Sequence, residues 1–210
     1  MPSKQRHRRN PPVPTRKGRK PIVDHCCYPL TQEAAQDLGE MMDEFRITQW
    51  DYLLVGDGSC TGNWNYEAGF ACGIVSAAAP DRLRVRYGSL NRGTNIVAEL
   101  MAYVLPLMEI ANNTSPSLRN VHIFTDCQYL SLAGADVSQQ QKSNRELWML
   151  VRGFKARGLV LHWHWMPRDT RILNRFCHDL ANAVRVSTRD VSQPLEKHSL
   201  SIYENGNSET

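Results

Sequence analysis

Between Trp50 and Val186 the spacing of the apolar residues changes in an order that leaves few folds open. Residues 50–55 (WDYLLV) are a short apolar run that predicts a buried strand, followed by Asp57-Gly58-Ser59 and a Gly- and Asn-rich turn through Asn65. Residues 67–76 and 82–90 alternate apolar with polar side chains, which predicts two more strands of an antiparallel meander. From Thr94 the period becomes helical, with Ile96, Val97, Leu100, Met101, Val104, Leu105 and Met108 on one broad apolar face. Pro106 lies inside that face and predicts a kink or an early end, because proline removes a backbone donor and crowds the preceding turn. Residues 121–125 (VHIFT) then read as a short buried strand, 128–132 as a helix, and 144–157 as a longer helix closed by Gly158. Residues 159–166 (LVLHWHWM) alternate as a strand, and 173–186 form a final helix. Three strands followed by α, β, α, α, β, α argue for an α/β domain over 50–186, a mixed sheet with helices on its faces.

The flanks differ in kind. Residues 1–20 hold eight of the 25 Lys and Arg and none of the 21 Asp and Glu, so this segment is +8 while the rest of the chain sums to −4. With Pro2, Pro11, Pro12 and Pro14 and almost nothing apolar to bury, it is expected to be a disordered basic arm suited to contacting phosphates. Residues 21–49 read as an N-terminal extension with one amphipathic helix: Thr31 is a plausible N-cap, and Ala34, Leu38, Met41, Met42 and Phe45 make one stripe. His25-Cys26-Cys27 would supply half a metal site, but no second ligand pair follows at regular spacing. Residues 187–210 are a polar C-terminal tail. The six scattered cysteines and the lack of a secretory apolar segment predict reduced thiols in a cytoplasmic protein, and no run approaches the ~18 apolar residues of a membrane span.

Four ionisable positions fall where the elements converge: Asp57 after the first strand, Glu99 in the first turns of the helix from Thr94, Asp126 at the end of 121–125, and the His178-Asp179 pair in the last helix. Each alone is commonplace, since Asp-Gly is an ordinary turn dipeptide. Together, acidic residues ending adjacent parallel strands can converge on one point and hold two divalent ions roughly 3.5–4 Å apart, an arrangement that suits phosphodiester hydrolysis.

The words around these positions resemble the type 1 ribonuclease H family, in its compact branch. Asp57-Gly58-Ser59 is similar to the DGS of the first strand, Thr94 to Leu100 (TNIVAEL) to the TNNxAEL helix start, and Thr125 to Tyr129 (TDCQY) to TDSQY. Asn144 to Trp148 (NRELW) matches N-x-x-L-W, and Trp165 to Asp169 (WMPRD) resembles WVPRE. The resemblance implies a ribonuclease H-like fold with a five-stranded sheet. It also implies hydrolysis of the RNA strand of RNA:DNA hybrids with two Mg²⁺ or Mn²⁺ ions, leaving 5′-phosphate and 3′-hydroxyl ends, by a protein expected to be monomeric. Carried over residue by residue, it makes Asp57, Glu99 and Asp126 metal ligands and places Gly58, Ser59, Asn95 and Gln128 near the substrate's 2′-hydroxyls, the group that distinguishes RNA from DNA.

The chain departs from the family at its last word, N-x-x-A-D-x-L-A. Here Asn174 to Ala181 reads NRFCHDLA, so an ungapped match sets His178 at the fourth acidic position, with Asp179 one residue on and 100° around a helix. Asn174, Leu180 and Ala181 hold the register that favours His178 as the fourth ligand. A neutral imidazole is softer than a carboxylate and suits Mn²⁺ better than Mg²⁺. The alternatives are Asp179 as the ligand, or a binding module in which the substitution has removed activity; DNA-cutting nucleases of the same superfamily are a further alternative. Arg168 either positions a phosphate or caps the strand end. His162 and His164 share one face of their strand, where satisfied histidines are commoner than metal ligands.

Overall fold

The computed structural model describes residues 23–62, 66–113, 118–135 and 144–186. The basic arm and the polar tail lie outside the described residues.

Six strands form one sheet in the order β1-β4-β3-β2-β5-β6. Strands β2 (Tyr52–Cys60), β3 (Tyr66–Ser76) and β4 (Ala79–Gly93) make the antiparallel meander. Beyond it β5 (Arg119–Thr125) runs parallel to β2, and β6 (Leu159–Trp165) parallel to β5. The helices are α1 (Gln32–Glu44), α2 (Asn95–Asn113), α3 (Gln128–Ala135), α4 (Arg145–Ala156) and α5 (Ile172–Val186).

Each face of the sheet carries its own core, as the pleat dictates: alternate residues of one strand point to opposite sides. Leu53 and Val55 of β2 pack with α1 and α5 through Ala34, Leu38, Met41, Phe176, Leu180 and Val184. Leu54 faces the other way, toward Leu100, Tyr103, Leu107 and Ile110 of α2, Leu130 of α3, and Trp148 and Val151 of α4. The result is a sheet between two helical layers.

The helix ends follow local chemistry. Thr31 Oγ1 accepts from the Ala34 amide at 3.2 Å and starts α1, and Thr94 Oγ1 does the same for Val97 at the head of α2, also at 3.2 Å. After α4, Gly158 adopts φ 91°, a left-handed turn that suits glycine and releases the chain into β6.

Two expectations need correction. The sheet has six strands, not five, because Val23–Pro29 pairs antiparallel with β4 as an added edge, β1, opposing Cys26 to Val85 and Tyr28 to Leu83. And of the kink or early end expected at Pro106, the early end does not occur, since α2 runs on to Asn113. Leu107, Ile110 and Ala111 are buried on the sheet beyond it, and that packing outweighs the one lost backbone hydrogen bond.

Candidate active site

The parallel pair β2 and β5 is in register through Val55 and Phe124, so Asp57 and Asp126 each stand two residues beyond the last paired position. The hydroxyl of buried Tyr103, from α2, fills the fork where the strands part, 2.7 Å from both Gly56 O and Phe124 O. Glu99 arrives from the first turns of α2. A Cβ at Gly58 would lie 2.2 Å from the Glu99 amide nitrogen, so only glycine lets the helix start sit directly on the strand, where the Gly58 amide donates to Glu99 Oε2 at 3.2 Å.

Asp57, Glu99 and Asp126 thereby each bring a carboxylate oxygen within 4.8 Å of the others. Asp57 and Glu99 are essentially inaccessible, and the Asp126 side chain is only 3% exposed. Burial, and then the charge of Asp126, raise the Asp57 carboxyl above its ordinary range, with His178 opposing. Burial raises Glu99 further, and the charges of Asp57 and Asp126 add to it. Such a cluster must either retain protons or hold cations. Its donors are hard oxygens, and the buried Asp57 Oδ1 has no hydrogen-bond partner among the described residues, so the residues fit divalent ions of the Mg²⁺ and Mn²⁺ kind.

His178 stands beside this cluster. Its Nδ1 lies 2.5 Å from Asp57 Oδ2, and its Nε2 accepts from Asn182 Nδ2 at 3.0 Å. Asp179, one residue on, is exposed and lies outside the carboxylate group. Asn95 is half-buried at the first position of α2 and Gln128 exposed at the first position of α3. Exposed Arg168 donates from Nε to Asp126 Oδ2 at 2.9 Å, and Trp165, also exposed, donates from Nε1 to Asp126 O at 3.2 Å. The Arg168 loop is held by Asp169, at φ 59°, whose amide donates to the buried Asn174 Oδ1 at 3.1 Å.

Ser59 follows Gly58 on β2. It is buried, accepts from Arg185 Nε at 2.8 Å and donates to Asn182 Oδ1 at 2.6 Å, so its hydroxyl is committed inside the protein. Asn182, Arg185 and Tyr103 had not been picked out from the sequence. A periodicity pointed to the first two: Asp57 and Ser59 share one face of a strand, and His178, Asn182 and Arg185 one face of a helix.

The histidines of the sheet face hold no metal group among the described residues. His164 Nε2 bonds His122 Nδ1 at 2.9 Å, His122 Nε2 bonds Gln49 O at 3.1 Å, and His162 Nε2 lies 3.3 Å from Asn120 Oδ1. Nor does His25-Cys26-Cys27 in β1 form such a group, and all six cysteines are free thiols.

Residues 50–184 match the family described as RNase H. Among solved structures, LC9-RNase H1, described as a type 1 RNase H with the type 2 active-site motif, superimposes with a TM-score of 0.56 at 20% identity, covering 75% of this chain and 85% of its own. LC11-RNase H1, isolated from compost by a metagenomic approach, gives 0.54 at 20% identity over 65% and 96%. The N-terminal RNase H domain of a Mycobacterium tuberculosis protein gives 0.51 at 19% over 65% and 94%. No curated protein matches the sequence. At these identities the structural likeness establishes the fold.

Proposed function

Because this chain belongs to the RNase H family, whose members are ribonuclease H hydrolases, we propose that it is a metal-dependent endonuclease cutting the RNA strand of RNA:DNA hybrids. The observation that carries the reading is the buried group of Asp57, Glu99 and Asp126 with its unpartnered Asp57 oxygen. Two Mg²⁺ or Mn²⁺ ions held by these carboxylates would supply an activated water and charge compensation at the leaving oxygen, giving 5′-phosphate and 3′-hydroxyl ends.

The protein's own residues do the rest. Glu99 is oriented by the Gly58 amide, which fixes the helix start against the strand carrying Asp57. Asn95 and Gln128, at the first positions of α2 and α3, read the substrate's 2′-hydroxyls in this proposal. Arg168 holds Asp126 with one nitrogen and keeps the rest of its exposed guanidinium for a phosphate. The body of the chain is acidic, so the +8 segment at residues 1–20 serves as the phosphate-binding arm. The catalytic unit is residues 50–186, acting as a monomer.

Purified protein incubated with end-labelled RNA:DNA hybrid, duplex DNA and duplex RNA, each with Mg²⁺ or Mn²⁺, tests the proposal. Cleavage confined to the RNA strand of the hybrid, and lost in Asp126→Asn, is the expected result. Binding without cleavage under either metal would show a binding module instead, and cutting of duplex DNA a nuclease of different specificity.

A further inference from the structure

The hydrogen bonds around His178 form a chain with one direction. Arg185 is always a donor, so Ser59 Oγ accepts from its Nε at 2.8 Å and turns its own proton to Asn182 Oδ1, 2.6 Å away. A second Arg185 nitrogen approaches the same Oδ1 at 3.4 Å. With its oxygen fixed by two donors, the Asn182 amide must present Nδ2, a donor, to His178 Nε2 at 3.0 Å. Nε2 is therefore the acceptor nitrogen of the ring and Nδ1 carries the hydrogen, which it donates to Asp57 Oδ2 at 2.5 Å. Neither nitrogen is left over to bind an ion.

We propose that His178 is not a fourth metal ligand but a positioning residue. It is locked as the Nδ1–H tautomer by Ser59, Asn182 and Arg185, so that it occupies Asp57 Oδ2 and leaves Oδ1 for the cation. Asp57 Oδ1 is the oxygen without a partner among the described residues, as this division of labour requires. The chain also explains why Asp179 need not substitute: the position asks for a donor, and a carboxylate there would face Asp57 with like charge. Ligating carboxylates are commonly oriented by such outer partners, whose removal costs roughly 10- to 100-fold in metal affinity or activity. The inference rests on the metal-site reading above, and its first test does not need the reaction.

Side-chain ¹⁵N spectra of the metal-free protein read the tautomer directly. His178 should show a protonated Nδ1 and a bare Nε2, and Asn182→Leu, which removes the Asn182 donor to Nε2, should shift this toward a mixed population. Calorimetric titration with Mn²⁺ then separates the two roles. In asparagine the amide nitrogen overlays imidazole Nδ1, so His178→Asn should recover Mn²⁺ affinity and turnover to within about threefold. His178→Gln, whose nitrogen overlays Nε2, should lose about 10-fold or more in affinity, and Asn182→Leu should follow it, with turnover falling and the KM for hybrid little changed. A protonated Nε2 in the wild type, or Mn²⁺ affinity lost with His178→Asn yet untouched by Asn182→Leu, would overturn the inference in favour of direct ligation. If instead no variant, wild type included, cleaves hybrid while the tautomer is as described, the functional reading fails and the positioning role stands.

Discussion

Tyr103 offers the sharpest test of how the strand ends are held. Its side chain is inaccessible, and its hydroxyl lies 2.7 Å from two carbonyl oxygens, Gly56 O on β2 and Phe124 O on β5. A hydroxyl has one proton, so it bonds one carbonyl and shares its approach with the other. Tyr103→Phe removes only an oxygen and opens little space, so the cost is almost wholly polar. A lost neutral hydrogen bond is worth about 1 kcal/mol, and a buried acceptor stranded without water costs about 1–3 kcal/mol. The expected loss is about 2 kcal/mol, or roughly 4–8 °C in Tm for a domain of this size. Urea denaturation of the metal-free protein should show a lower midpoint with an unchanged m-value. Gly56 precedes Asp57, and Phe124 lies two residues before Asp126, so the same variant should bind Mn²⁺ more weakly although Tyr103 touches no ligand. Stability within about 0.3 kcal/mol of the wild type would refute the idea that this hydroxyl closes the fork between β2 and β5.

The buried acids predict a trade between stability and activity: Glu99→Gln removes a like charge and should stabilise the metal-free protein by about 1–2 kcal/mol at pH 7 while abolishing hybrid cleavage, and a loss of stability would contradict the repulsion inferred here. Burial, reinforced by His122 and His162, pushes His164 down to about 4. The unfolded chain therefore takes up that proton first, and the stability present above about pH 6.5 drains away toward pH 4. The full displacement is worth about 3 kcal/mol, but the ring is only half buried, so about 1–2 kcal/mol is expected. His164→Leu should flatten the fall between pH 7 and 5 in urea titrations, and an unaltered slope would remove His164 as the cause. Deleting residues 1–20 should weaken hybrid binding and reduce the slope of log affinity against log salt by about 2 or more at little cost to turnover with saturating substrate; an identical slope would leave the arm without a substrate role.

The three carboxylates were legible because each sits in a local word that also fixes its backbone: a glycine beside Asp57, a capped helix start before Glu99, a strand end before Asp126. The meander and the later helices were legible from period alone. β1 was not, because VDHCCYP is a short edge segment between prolines whose pairing comes from β4 rather than from its own pattern. The early end allowed for at Pro106 does not occur because its local preference is set against burial of the three-residue face beyond it, which no window around the proline reveals. The role of the Ser59 hydroxyl was hidden for a related reason. Its word speaks for the backbone of the turn, while the partners of its hydroxyl lie 123 and 126 residues away on a helix face. His178 could be assigned to the fourth position from register, but its chemistry depends on Asn182 and Arg185, and a tautomer has no signature in sequence.

The clamp between the first and last described helices bears on how the chain is made. Arg171, at the head of α5, bonds Asp37 Oδ1 at 3.2 Å and reaches Glu40 and Glu44 of α1, while the Ile172 amide bonds Asp37 Oδ2 at 2.8 Å. Asp37 therefore leaves the ribosome 134 residues before the arginine that holds it, and α5 also carries His178. During synthesis the β2, α2 and β5 segments emerge together with their three acids, but the apolar face of Leu53, Val55, Ala71 and Val85 has only Ala34, Leu38 and Met41 of α1 as cover until Phe176, Leu180 and Val184 arrive. A nascent chain stalled before Ile172 would show a sticky sheet face and an unattended acidic pocket at once. Completion of α5 closes both, which makes the interval just before α5 emerges a window of exposure to aggregation.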